Sequence, residues 1–149
     1  MPDEAVIIIK GEWYIAKSAI LVVDDEIIYC DVITDILESY GFVTHVAHNS
    51  VDALSLLESI TPDLVLLDIM MPEIDGLTVV RRIRSRPGWI DITVIVVSAK
   101  VLSEDRTAAF NAGANAFLPK PFSTHELRVS LRPFVTVPDT GKLGNRVAG

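Results

Sequence analysis

From residue 18 onward, short apolar runs alternate with longer stretches in which apolar residues recur at intervals of three and four. Ser18–Val23 is an apolar run that ends in Asp24-Asp25. Ile27–Tyr40 spaces Tyr29, Val32, Ile33 and Ile36 at helical intervals, and Gly41 supplies a C-terminal stop. Phe42–Ala47 reads as a second strand. Asn49 or Ser50 can cap a helix running to about Ile60, with Ala53, Leu54, Leu56 and Leu57 packing inward. After the break at Thr61-Pro62-Asp63, Leu64–Leu67 is a wholly apolar strand that ends in Asp68. A loop through Met71-Pro72 and Asp75-Gly76 leads into a helix from Leu77 to about Ser85, which Pro87-Gly88 ends. Thr93–Val97 is a fourth apolar strand and ends at Ser98. A helix from about Ser103 stops at Gly113. Ala116–Leu118 is a short fifth strand, followed by Pro119-Lys120-Pro121. A last helix begins near Ser123 or Thr124, with Glu126 in its first turn, where the helix dipole favours it.

Five strands alternating with five helices predict a parallel sheet covered on both faces, an α/β doubly wound fold. The unbroken apolar character of the third and fourth strands agrees, because central parallel strands are buried on both sides. Two segments lie outside this alternation. Residues 1–17 contain a β-prone run, Ala5–Ile9, a turn at Lys10-Gly11 and a second run, Trp13–Ala16. They predict an added β-hairpin that packs apolar surface, with a dimerisation or partner-binding element as the alternative. Residues 136–149, polar and rich in glycine from Pro138, predict a flexible tail.

Composition narrows the function. The chain of 149 residues is half hydrophobic and carries a net charge of −7. An acidic balance argues against direct nucleic-acid binding, which rests on clustered lysine and arginine. The single cysteine, Cys30, allows no intrachain disulfide. The acidic start, Met1-Pro2-Asp3-Glu4, is unlike a secretory signal, and no apolar run is long enough to span a bilayer, so a cytoplasmic location is expected.

The chemistry lies where the strands end. In an open parallel sheet, ligands bind outside the carboxyl ends of the strands. Asp24 and Asp25 follow the first strand, Asp68 the third, Ser98 the fourth and Lys120 the fifth. Each has an ordinary explanation alone: a first-turn acid, a loop residue, a helix cap, a solvated lysine. Their joint placement is what calls for another. Three carboxylates converging on one pocket repel one another and raise their own pKa values. A divalent cation relieves that, and all-oxygen ligation suits Mg²⁺ or Mn²⁺. With a metal and an ammonium beside a hydroxyl, the pocket can clamp a phosphoryl group while one carboxylate attacks phosphorus.

Residues from about 18 to 133 resemble the receiver domain of two-component response regulators, which implies a receiver unit spanning 18–135. The resemblance is carried by Leu21-Val22-Val23-Asp24-Asp25-Glu26, by Pro62-Asp63 through Asp68 to Pro72 and Asp75-Gly76, by Val96-Val97-Ser98-Ala99, by Gly113-Ala114, and by Leu118-Pro119-Lys120-Pro121-Phe122. It implies a flavodoxin-like strand order, 2-1-3-4-5. It implies Asp68 as the phosphorylated aspartate and Asp25 as a direct metal ligand. Asp24 would be a water-mediated ligand, with Asp68 and the backbone carbonyl of Met70 completing the set. Lys120 would pair with the phosphoryl group, before a cis bond to Pro121. Ser98 and Phe117 would form the switch. Met70 and Lys100 occupy positions that tune hydrolysis of the acyl phosphate, and an apolar Met70 implies slow or intermediate loss.

The resemblance thus implies a signalling switch, not a turnover enzyme, phosphorylated by a histidine kinase or phosphotransfer protein. Its output would be contact with a downstream protein, with no direct nucleic acid or membrane contact, from a monomer or weak homodimer. Only about fifteen residues follow the last helix, too few for an effector module unless the chain is a fragment of a longer regulator. Two other classes fit less well. A phosphatase or phosphotransferase of the best-known aspartate-nucleophile fold wants a second aspartate where Met70 stands. An FMN carrier wants a phosphate-binding loop where Asp24-Asp25-Glu26 would repel phosphate.

Overall fold

A computed structural model describes residues 6–15, 18–72 and 74–137. The expected ends of the hairpin at Ala5 and Ala16, and the tail from Pro138, lie outside the described residues. Strands β1 (Val6–Ile9) and β2 (Glu12–Ile15) form a separate antiparallel pair, with Ile9 opposite Glu12. Lys10 and Gly11 between them both have positive φ, 52° and 80°, the backbone that a two-residue turn needs to match strand twist.

The main sheet contains β3 (Ala19–Val23), β4 (Val43–Ala47), β5 (Leu64–Asp68), β6 (Thr93–Ser98) and β7 (Ala116–Pro119). All are parallel, in the order β4-β3-β5-β6-β7. Counting these five alone, that is the predicted 2-1-3-4-5. Helices α1 (Ile27–Ser39), α2 (Ser50–Ser59), α3 (Gly76–Ser85), α4 (Ser103–Ala112) and α5 (Thr124–Leu131) alternate with them. Among the described residues no helix is long and apolar enough to cross a membrane.

The period of two along a strand divides the core. Leu21, Val23, Val65, Leu67, Val94 and Val96 face one layer, where Ala53 and Leu57 of α2, Val79, Val80 and Ile83 of α3 and Ala109 of α4 cover them. Ile20, Val22, Leu64, Leu66, Ile95 and Val97 face the other, under Cys30, Ile33 and Leu37 of α1 and Leu127 and Leu131 of α5. The stripe of α1 is therefore turned from the expected one: Val32 is exposed, and Tyr29 and Ile36 are half-buried. Leu54 and Leu56 of α2 are likewise at the margin of their core.

Local chemistry sets the helix boundaries. Asn49 caps α2 by accepting from the Asp52 amide at 2.7 Å, and Asp75 caps α3 by accepting from Leu77 at 2.8 Å. Ser123 and Glu126 form a reciprocal capping box on α5, so Glu126 does more than meet the helix dipole. Gly113 ends α4 with φ of 117°. Gly76 is demanded by crowding instead, since a Cβ there would fall 2.5 Å from the Ile69 Cα and 2.9 Å from the Asp68 carbonyl. The first residue of α3 thus lies directly against the end of β5.

Arg84, near the end of α3, reaches several neighbouring segments through its guanidinium. Its guanidinium donates to the carbonyls of Gly113 (2.8 Å), Ile90 (3.0 Å) and Ile92 (2.7 Å) and to Asn115 Oδ1 (2.6 Å). The same Asn115 oxygen accepts from the Val94 amide at 2.8 Å. One side chain therefore ties the C-terminal end of α4 to the start of β6. Arg84→Met keeps the apolar stem and takes this donor from the carbonyls of Gly113, Ile90 and Ile92. It should lower stability by about 2–4 kcal/mol with the urea m-value unchanged. A loss below about 0.5 kcal/mol, the range of an ordinary surface change, would show the clamp to be inert.

Candidate functional site

Because the strands are parallel, their carboxyl ends lie along one edge of the sheet. Asp24 follows β3 and its amide still donates to Ala47 of β4 at 3.1 Å. Asp68 closes β5, paired with Val97. Ser98 closes β6, and its carbonyl accepts from the Lys120 amide at 2.8 Å, just past β7. The loops that follow these ends surround a depression lined by Asp25, Glu26, Asp68, Met70, Ala99 and Lys120.

The ordinary explanations for these residues fail on geometry. Helix α1 begins at Ile27 with no acid in its first turn, and its N-cap, Glu26, makes no side-chain cap bond. The Asp24 carboxylate instead accepts from the Glu26 amide at 2.9 Å through Oδ1. Helix α4 starts after Leu102, so Ser98 caps nothing. Lys120 is not a solvated lysine, since its side chain is only 10% exposed.

Carboxylate oxygens of Asp24, Asp25 and Asp68 all lie within 4.8 Å of one another. Asp24 and Asp68 are buried and Asp25 is exposed. The Lys120 Nζ bridges the buried pair, 2.6 Å from Asp24 Oδ2 and 3.1 Å from Asp68 Oδ2, with exposed Glu26 Oε1 at 3.4 Å. The second oxygen of Asp68, Oδ1, accepts from the Met70 amide at 2.8 Å. Burial pushes the Asp68 carboxyl above its ordinary range, against the opposing pull of the Met70 amide and the Lys120 charge. Burial would lower the Lys120 ammonium, but the hydrogen bond to Asp24 and the charge of Asp68 carry it above the usual lysine value. Lys120 is therefore charged at any physiological pH. The bond from Lys120 to Pro121 is cis.

The carboxylates of Asp24, Asp25 and Asp68 beside one ammonium leave negative charge uncompensated, and the ligand atoms they offer are hard oxygens. That set fits a divalent cation of the Mg²⁺ kind, which takes carboxylates and keeps water. Met70 lines the depression beside it. Ser98 is fully buried, and its hydroxyl oxygen accepts from the Lys100 amide at 3.0 Å. Phe117 is not brought to the depression. It is half-buried on β7, opposite Val96, with the Arg106 guanidinium 5.3 Å from its ring centroid.

Sequence reading assigned no chemical part to Tyr29, Cys30 or His48, yet all three surround Asp24 or its partner. The Cys30 thiol, pushed up to about 11 by burial, stays protonated and donates to the Asp24 carbonyl at 3.3 Å. His48 Nδ1 lies 3.0 Å from the same carbonyl. The ring of Tyr29 lies under the Lys120 ammonium, 4.2 Å from centroid to Nζ. A period of 3.6 marks Tyr29 and Cys30 only as one inward face of a helix. Their proximity to Asp24 arises when α1 docks on β3, and sequence carries no signal for it.

Comparison with known proteins agrees with this geometry. A family model described as the response regulator receiver domain matches residues 20–132. The Response regulator MprA of Mycobacterium ulcerans (strain Agy99) is 39% identical over 113 residues, which are 76% of this chain and 48% of that protein. The chain thus spans about half the length of the curated relatives it matches. Among solved structures, the receiver domain of sensor histidine kinase PA1611 from Pseudomonas aeruginosa PAO1 is 30% identical, with a TM-score of 0.73 over 80% of this chain and 98% of that one. That structure holds a magnesium ion in its active-site cleft. Vibrio cholerae chemotaxis protein CheY4, 22% identical, shares the fold with a TM-score of 0.77 over 80% of this chain and all of that one. Matched family model, relatives and fold agree that this chain belongs to the response regulator receiver domain family of two-component signalling.

Proposed function

We propose that this domain is a phosphoacceptor switch in which Asp68 takes a phosphoryl group from the phosphohistidine of a histidine kinase or phosphotransfer protein. The observation that carries this reading is the buried Asp24–Lys120–Asp68 cluster with Asp25 beside it, all within a few ångströms at one sheet edge. A carboxylate oxygen of Asp68 forms a bond to phosphorus as the phosphorus–nitrogen bond of the donor breaks, and the departing imidazole nitrogen regains a proton from solvent. The Met70 amide orients the Asp68 carboxylate by holding Oδ1. Lys120 is placed to neutralise the phosphoryl oxygens once they join Asp68. Asp24, Asp25, Asp68 and the Met70 backbone carbonyl would hold Mg²⁺ or Mn²⁺, which supplies charge neutralisation for the phosphoryl oxygens.

Ser98 and Phe117 are the proposed switch. A phosphoryl group on Asp68 offers the Ser98 hydroxyl an acceptor in exchange for its present role as acceptor of the Lys100 amide. Phe117, on the neighbouring strand and packed against the core under Arg106, is placed to follow. Exposed Met70 supplies no acid or base for turnover, which favours a lasting mark over an enzymatic cycle. In this proposal residues 18–135 form the receiver unit in the cytoplasm, and output passes through contact with another protein.

Incubation with acetyl phosphate and Mg²⁺ should add the mass of one phosphoryl group, and Asp68→Asn or chelation by EDTA should abolish it. An adduct that survives Asp68→Asn would refute the assignment. Mg²⁺ at ten times its Kd should stabilise the domain by about 1.4 kcal/mol, raising Tm by a few degrees. Asp25→Asn should remove most of that rise, and an undiminished shift would place the cation elsewhere. The isolated phosphorylated domain should lose phosphate at a slow or intermediate rate, and a lifetime of seconds would contradict the part given to Met70.

A further inference from the structure

Three of the neighbours of the Lys120 ammonium are carboxylates, and one is not. Its Nζ stands 4.2 Å from the centroid of the Tyr29 ring, in a side chain that is 10% exposed. That ring is braced edge-on by Phe122, with centroids 5.7 Å apart and planes at 87°. Tyr29, Phe122, Asp24 and Asp68 line one small cavity under the strand ends.

The carboxylate partners have other work in the proposed reaction. An oxygen of Asp68 becomes bonded to phosphorus, and the carboxylates of Asp24 and Asp68 are among those a divalent cation would draw on. Glu26 is 65% exposed at its side chain and 3.4 Å away, so solvent screens it. The face of Tyr29 offers no ligand oxygen and keeps its negative quadrupole throughout, and a partly desolvated ammonium gains most from such a face. A positive ammonium beside a divalent cation would otherwise be pushed outward.

We propose that Tyr29 is a positioning residue, whose ring face holds the Lys120 ammonium at the sheet edge while Asp24 and Asp68 are engaged elsewhere. The inference rests on the phosphoacceptor reading of Asp68, and it adds a residue on α1 to the site.

The test compares wild type, Tyr29→Phe and Tyr29→Leu in the full chain. Phe keeps the ring and Leu keeps only apolar bulk. The rate of phosphoryl addition from acetyl phosphate, followed by intact mass, should fall about tenfold in Tyr29→Leu, or about 1.4 kcal/mol at 1.36 kcal/mol per decade. Tyr29→Phe should recover most of that loss. By NMR, the Lys120 ε-methylene protons should be shifted upfield by the ring in wild type and Tyr29→Phe, and should return to ordinary lysine positions in Tyr29→Leu. Equal rates in wild type and Tyr29→Leu would overturn the proposal, as would a loss that Tyr29→Phe shares. Ordinary lysine positions in the wild type would also overturn it. A wild type that takes no phosphoryl group would defeat the phosphoacceptor reading, and the NMR comparison would then decide the ring–ammonium contact by itself. If Tyr29→Leu does not fold, Tyr29→Met makes the same comparison.

Discussion

The ammonium of Lys120 sits between two carboxylates that the fold has taken out of water. Asp24 and Asp68 are buried at the ends of adjacent strands, and their repulsion would be severe without the charge between them. Removing one member of such a buried set leaves a charge uncompensated, which in other proteins costs about 3–5 kcal/mol. The cluster therefore couples stability to chemistry. Whatever changes the charge on Asp68 must be answered by Lys120, by Asp24 or by an added cation, and Lys120 and Asp24 follow different strands.

That coupling depends on the sheet being parallel. A parallel sheet with helices on both faces gathers all its strand ends on one edge, whatever their distance in sequence. Lys120 and Asp24 meet although 96 positions separate them. The edge is held in shape by features that touch no reacting atom. Gly76 lets α3 press against the Asp68 carbonyl, and Cys30 and His48 take up the Asp24 carbonyl from α1 and from beyond β4. Arg84 ties α4 at its far end, while only Ala109 and Ala112, in its C-terminal half, are buried. The half of α4 nearer Ser98 is thus held by fewer buried groups.

The matched segment is about half the length of the curated relatives. Whether the reader of the switch is joined to the domain or separate from it, the signal must leave through the surface. The site chemistry is therefore set at the sheet edge, and the output by the exposed faces around it.

Much of this was legible in the linear sequence because it follows from periods. A short run such as Leu64–Leu67 bounded by turn residues reads as a buried strand, and five of these alternating with helical patterns point to a doubly wound sheet. The same runs placed Asp24, Asp68, Ser98 and Lys120 at strand ends, and the order of those residues carried the resemblance to receiver domains. Helix faces were read less well. Of the expected stripe on α1 Ile33 is buried, but Val32 is exposed and Cys30 and Leu37 are covered instead, because the angle at which α1 docks, and not its hydrophobic content, selects which residues are covered. The sequence by itself thus determined the fold, the chemical cast and the edge on which it assembles, since these depend on local period and residue type. Only the tertiary structure decided which oxygens of Asp24 and Asp68 face Lys120, that Ser98 is buried against the Lys100 amide, and that Tyr29 lies beneath the ammonium. Those facts depend on distances between elements, which packing sets and no local pattern encodes.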